Sequence, residues 1–289
     1  MTLSTLLALA LVGAAPADSP CCCAGGTCGT LNRPIAPTEV IRPFNGQNLD
    51  GLVPWLTDTK YEDPRHVFTV EKGMLHISGN GLGYIRTKQY YKNYHLILEF
   101  RWGGRTWGKR VDRARDSGVI VHCVEPDGSL FNIFMAGIEA QMIEGGTGDF
   151  IVCSGKRTDG SPITASLTAE MVKDRDGEWV WHAGGPRATI HGGRINWYGR
   201  DVDWKDAIGY RGREDLENPV GQWNRLEVIC DGRRIEQRLN GVKCNEGFDA
   251  DPSSGPILIQ TELAEVYVRR FELWPLGKAP QTPAGWKDK

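Results

Sequence analysis

No stretch of the chain is apolar for long enough to cross a bilayer as a helix, and no run of like charge is long enough to grip a polyanion. The longest apolar run, Met1 to Val12, falls short of the roughly 20 residues that a spanning helix needs. Lysine and arginine number 34 against 36 aspartate and glutamate, a formal charge of −2. Neither a transmembrane span nor a nucleic-acid partner is expected. No His-x-x-x-His helix, His–carboxylate set or calcium-loop spacing is present, so no cofactor or metal is predicted, although distant strands could still assemble a divalent-cation site. Ser117 lacks a Gly-x-Ser-x-Gly context, which argues against a nucleophile elbow. Gly145-Gly146-Thr147-Gly148 precedes the strand-like Phe150-Ile151-Val152 rather than a helix, so it reads as a turn and not a nucleotide cradle.

What is present points to one large β domain. The 289 residues are 40% hydrophobic, enough for a substantial core, and ten Trp, 36 Gly and 16 Pro suit many short strands joined by turns. An all-β fold is expected. Leu3, Leu6, Leu7, Leu9 and Leu11, followed by Ala15-Pro16-Ala17 before Asp18, read as a signal peptide over residues 1–17, though no Lys or Arg precedes the apolar run. Export to the periplasm or beyond follows. Residues 18–42 form a Cys/Pro/Gly-rich linker, where Asp18-Ser19-Pro20 ahead of Cys21-Cys22-Cys23 argues against a lipid attachment site and Cys28 has no second ligand pair of zinc spacing. The domain occupies residues 43–276, and 277–289 are a tail. Of the remaining cysteines, Cys123, Cys153, Cys230 and Cys244, the last two lie near the ends of an expected hairpin and are the most suggestive disulfide pair, with buried thiols as the alternative.

Leu96, Leu98, Phe100 and Trp102 alternate with Ile97, Glu99 and Arg101, a period of two that marks a strand with one apolar face. Further strands are expected at 74–77, 118–124, 138–143, 150–153, 223–230, 235–239, 257–262 and 266–273, enough for two packed sheets. Asp231-Gly232 and Asn240-Gly241 supply two hairpin turns. The stretch from Thr158 to Pro219 reads as a long insertion partly ordered by its aromatics, and Arg105, Lys109, Arg110, Arg113 and Arg115 read as a solvated loop.

Several separated motifs resemble one family: Phe44-Asn45-Gly46-Gln47-Asn48-Leu49, Glu99-Phe100-Arg101, Asp116-Ser117-Gly118-Val119, Ile138-Glu139-Ala140-Gln141-Met142-Ile143, Gly221-Gln222-Trp223-Asn224, Leu239-Asn240-Gly241, Gly255-Pro256-Ile257-Leu258-Ile259-Gln260 and Val268-Arg269-Arg270-Phe271-Glu272-Leu273. In this order they resemble the 3-keto-disaccharide hydrolase domain family, formerly a domain of unknown function and abundant in exported bacterial proteins. The resemblance spans about residues 43–276. It implies a concanavalin A-like β-sandwich or jelly roll whose curved sheet binds sugar, and a hydrolase that cleaves 3-keto glycosides by elimination and hydration. A non-catalytic carbohydrate-binding module of the same shape is the alternative. Departures from the family pattern are Asp116 where Asn is common, Glu144 where Asp is frequent, and Thr261-Glu262 where His-Gly is common.

Residues two apart in a strand share a face, so Glu99 with Arg101, and Glu139 with Gln141, point away from the core. If their strands are neighbours, the four form one patch suited to sugar hydroxyls and to acid/base work; a salt-bridged outer face is the plainer reading. On the implied mechanism Glu139 is the first choice for base or acid, Glu99 the second and His122 the third. Arg101, Gln141, Asp116, Gln260 and Trp197 are expected to contact the sugar, Trp197 through its ring. The leader carries its own test. Secreted mature protein should begin near Asp18 on N-terminal sequencing, and Met1 retained on cytoplasmic protein would overturn export.

Overall fold

Alternation of apolar and polar side chains, broken by turn residues, produces strands throughout the computed structural model, which describes residues 33–283 and Trp286. The leader and Cys21, Cys22, Cys23 and Cys28 lie outside the described residues. In chain order the strands are β1 (Leu52–Leu56), β2 (Phe68–Glu71), β3 (Met74–Ile77), β4 (Leu82–Thr87), β5 (Tyr94–Thr106), β6 (Asp116–Val124) and β7 (Ala136–Ile143). Then come β8 (Phe150–Cys153), β9 (Gly155–Lys156), β10 (Pro162–Ile163), β11 (Ser166–Lys173), β12 (Trp179–Trp181), β13 (Arg187–Ile190) and β14 (Gly193–Ile195). The last five are β15 (Asn224–Asp231), β16 (Arg234–Leu239), β17 (Val242–Asp251), β18 (Leu258–Glu262) and β19 (Ala264–Trp274). One 3-10 turn, Gly108–Arg110, interrupts them. Among the described residues no helix is long and apolar enough to cross a membrane.

Seven strands form one sheet in the order β1-β4-β18-β6-β7-β8-β14, and the larger sheet runs β12-β11-β17-β16-β15-β5-β19-β3-β2 with β13 added on β11. The protein is all-β, and these two sheets pack over a shared core as a β-sandwich. Leu98, Phe100 and Trp102 of the larger sheet belong to the same buried core as Val119, Ile138, Ala140 and Met142 of the smaller one. Burying each such large side chain contributes about 1.5–3 kcal/mol, so this layer is what the period-two pattern secures. Asn240 and Gly241 take the positive φ values of 50° and 88° that a tight β16–β17 hairpin requires.

Three expectations change. Thr158–Pro219 is ordered by more than its aromatics: its first part supplies β10 to β14, and the part from Asn196 onward carries no strand. That part is held by aromatic contacts, Trp197 and Trp181 against Tyr198, and Trp204 against Tyr210. Cys230 and Cys244 are free buried thiols, as are Cys123 and Cys153. β16 lies between the strands that carry Cys230 and Cys244, and two strand spacings are about 9–10 Å, beyond disulfide reach. Arg115 is buried rather than solvated, its Nη1 donating to Glu144 Oε1 at 2.8 Å.

Candidate functional site

Antiparallel partners point to one side, so the register of the smaller sheet decides which side chains meet on its outer face. Ile120 on β6 faces Glu139 on β7, Glu139 faces Ile151 on β8, and Ile151 faces Arg194 on β14. In the adjoining row Gly118 faces Gln141. Asp116 and Glu262 follow at the strand ends, where the negative charge of Asp116 acts on the Glu262 carboxyl. The outcome is a row of acids and amides ending in a guanidinium.

Glycine at 118 is what lets this row close up. A Cβ built there would lie 2.3 Å from Glu139 Oε1 and 2.4 Å from Gln260 Oε1, so these two side chains converge over the space a larger residue would fill. Cys153 Sγ donates to Glu139 Oε2 at 3.5 Å, and Gln141 Nε2 donates to Asp116 Oδ1 at 2.7 Å. Arg110 Nη2 also donates to Asp116, while Arg110 Nη1 donates to Asp206 Oδ1 at 3.0 Å, tying the loop before β6 to the irregular segment after β14. That segment adds Trp204, whose indole donates to the Glu144 carbonyl at 3.2 Å. On the other flank, the 125–135 loop lays Leu130, Ile133, Phe134 and Met135 against Trp55, Tyr84 and Leu258. Asp127 pins this loop by accepting from Arg86 Nε at 2.7 Å and Tyr84 Oη at 2.6 Å.

Under these loops Glu139 is only 5% exposed and Gln260 1%. Burial, reinforced by the negative Asp116, pushes the Glu139 carboxyl up to about 7, with Arg194 and the Gln260 amide pulling weakly the other way. Burial raises Asp116 and Glu262 as well; for Glu262 the neighbouring acids add to it. The result is a carboxyl that can both take and give a proton near neutrality. Two cavities flank it, and Glu139 lines neither: one of about 580 Å³ between residues 126–132 and 154–158, the other of about 310 Å³ bordered by Arg194.

Of the expected site residues, the structure brings together Glu139, Gln141, Asp116 and Gln260. Glu99 and Arg101 are not with them, because β5 belongs to the larger sheet and the premise of neighbouring strands fails. Glu99 is an ion-pair partner, accepting from Arg269 Nε at 2.7 Å and Arg270 Nη1 at 3.2 Å. Arg101 packs over Tyr267, its guanidinium carbon 4.5 Å from the ring centroid. His122 points inward: the register slips after Val121, His122 takes a positive φ of 56°, and its ring meets Tyr94 edge-on in the core. Burial lowers its pKa to about 4, so it is neutral at working pH. Trp197 is core, 2% exposed, and offers no ring to a sugar. Sequence reasoning missed Arg194, since a lone arginine in Gly192-Gly193-Arg194-Ile195 carries no signal until β14 is known to pair with β8. Cys153 beside Glu139 was likewise unassigned. Among the described residues no three His, Cys, Asp or Glu side chains converge as metal ligands.

Acids and amides gather under loops on one outer face of this β-sandwich, and it is the family match that makes the chain a carbohydrate-active protein. The chain belongs to the 3-keto-alpha-glucoside-1,2-lyase-like domain family, whose model matches residues 39–273. No curated protein matches it. Among solved structures it is similar to a glycosyl hydrolase candidate from Parabacteroides distasonis ATCC 8503, at 17% identity and a TM-score of 0.47, over 82% of this chain and 94% of that one. It is also similar to a protein of unknown function with galectin-like fold from Bacillus subtilis, at 8% identity and TM-score 0.45, over 83% and 97% of the two chains. A Bacillus licheniformis beta-glucanase gives 10% identity and TM-score 0.39 over 81% and 95%.

The cradle at Gly118 makes a direct prediction. Gly118→Ala should fold, since the atoms it meets are the far ends of two side chains, but should lower turnover by at least about tenfold by driving Glu139 and Gln260 apart. Steady-state rates beside thermal midpoints decide this; wild-type turnover in a well-folded variant would refute the cradle.

Proposed function

We propose that the protein is an exported enzyme that cleaves glycosidic bonds of sugars oxidised at the third carbon. The observation that carries this reading is the buried Glu139 carboxyl, held near neutrality among Gln260, Gln141 and Arg194. A ketone at the third carbon acidifies the hydrogen at the second. Glu139 as carboxylate removes that proton, the electron pair forms the bond between the first and second carbons, and the aglycone departs as its alcohol, its oxygen taking the proton that Glu139 holds. Water then adds to the enone at the first carbon, giving net hydrolysis. Negative charge that develops on the ketone oxygen needs a donor, a role for which Arg194 replaces Arg101 because it shares the face of Glu139. Gln141 and Gln260 orient hydroxyls, and Gln260 Oε1, which accepts from no described residue, is suited to a sugar hydroxyl.

A folded pKa raised to about 7 has two consequences with opposite signs. Activity that needs the carboxylate falls as pH drops below about 7. Stability behaves the other way: it is fully present below the unfolded value near 4.5 and is lost as pH rises through the folded value, by about 3 kcal/mol. Glu139→Gln should therefore lose roughly 10²–10⁴-fold in turnover on 3-keto glycosides while keeping sugar affinity, and should be more stable than wild type at pH 8. Deuterium exchange at the second carbon should vanish with it. Full activity in Glu139→Gln sinks the assignment, cleavage of native but not 3-keto glycosides sinks the mechanism, and binding of both without cleavage makes the protein a binding module.

A further inference from the structure

Cys153 follows Ile151 by two residues on β8, so it shares the outer face with Glu139 and lies diagonally from it. Its direct partner on β7 is Gly137, which has no side chain to stand between the thiol and the carboxyl. The thiol is buried, and its Sγ donates to Glu139 Oε2 at 3.5 Å; the Ile151 carbonyl, at 3.7 Å, is a second acceptor within reach. The other carboxyl oxygen, Oε1, has different company. A Cβ at Gly118 would sit 2.3 Å from it and 2.4 Å from Gln260 Oε1, an acceptor that takes no hydrogen bond from a described residue. The two oxygens of one carboxyl are therefore unequal: Oε2 meets a donor, whereas a proton on Oε1 has Gln260 Oε1 beside it to accept. Burial and the neighbouring Glu139 push the Cys153 thiol well above its usual value, so it keeps its proton while Glu139 titrates. The remaining groups that act on Glu139 are Asp116 on β6, Arg194 on β14 and Gln260 on β18, and Glu139 in turn acts on Glu262 at the end of β18.

We propose that Cys153 is a positioning residue: its thiol occupies Oε2 of Glu139, which leaves Oε1, above Gly118 and beside Gln260, as the oxygen that takes the proton from the second carbon and passes it to the departing aglycone oxygen. The C–H bond at the second carbon breaks as the Oε1–H bond forms, and the same proton leaves Oε1 with the aglycone. Oε2 and the thiol end the cycle unchanged. An S–H group is a weak donor, so it steers the proton to Oε1 without drawing the carboxyl down to the ordinary carboxylate range. This rests on the reading of Glu139 as the acid/base group, yet the bond between thiol and carboxyl is measurable without turnover.

Infrared spectroscopy of the S–H stretch in the full chain tests the bond itself. One S–H band should move to lower frequency as pH rises through about 7, because the carboxylate is the better acceptor, and should ignore pH in Glu139→Gln. A wild-type spectrum with no band that follows pH, or one that follows it equally in Glu139→Gln, overturns the proposal. The second measurement is the Glu139 titration and the pH–rate profile of Cys153→Ala, with thermal midpoints beside them. Loss of a donor to the carboxylate should raise the titration midpoint by roughly 0.3–1 pH unit, so that turnover on a 3-keto glycoside falls about two- to tenfold at pH 6 and is kept at pH 9. A folded Cys153→Ala protein with the wild-type midpoint contradicts the assignment, and so does an equal loss of turnover at both pH values, the mark of a merely structural defect. If the band follows Glu139 and the midpoint rises, yet wild-type protein cleaves no 3-keto glycoside, the placement of the proton by Cys153 stands and the catalytic reading falls.

Discussion

Three acidic groups, Glu139, Asp116 and Glu262, share one outer sheet face beneath loops that keep water away, and the surrounding structure answers that constraint. Asp116 and Glu139 both act on Glu262, and like charge together with burial pushes its carboxyl up. Arg110 takes part of the charge on Asp116, while Arg194 acts on Glu139 from the strand edge. The Arg194 side chain is held in turn by the fully buried Asp149, which accepts from Arg194 Nη1 at 2.6 Å and Arg200 Nη1 at 2.7 Å. Remove the loops and the acids become ordinary solvated carboxylates; fill the space at Gly118 and Glu139 and Gln260 are driven apart.

The larger sheet shows what the same residue types do without that constraint. Glu236 meets Arg238 at 2.5 Å and also pairs with Arg234, Glu272 meets Arg270 at 2.7 Å, and Glu99 meets two arginines. These acids are matched by flexible, partly exposed cations, and such pairs are worth about 0–1 kcal/mol each. Their pairing holds the Glu236 and Glu272 carboxyls below the usual range despite partial burial. On the smaller sheet burial outweighs pairing and the shift reverses. A carboxyl raised by burial is therefore the feature that separates this face from an ordinary polar sheet face.

Much of the fold was legible because a period of two dictates both strands and faces. The strands at 74–77 and 150–153 match expectation, and Glu139 and Gln141 point outward because Ile138, Ala140 and Met142 must point in. What could not be read locally was which strands become neighbours: Glu99 and Glu139 have the same pattern but lie in different sheets. His122 defeated the pattern through a single register slip, and Trp197 because its ring turns into the core from the segment that follows β14. Arg194 needed the pairing of β14 with β8, a long-range contact with no local trace. Fold class thus follows from periodicity, whereas the site follows from topology.

Burial beside the like charge of Asp116, and not an unusual residue, raises the Glu139 carboxyl. Carbon-13 NMR titration of the Glu139 side-chain carboxyl, assigned by comparison with Glu139→Gln, measures this directly. The expected midpoint is near pH 7 and falls when Asp116 is replaced by Asn. A midpoint at the ordinary value near 4.5, unchanged in Asp116→Asn, would contradict it.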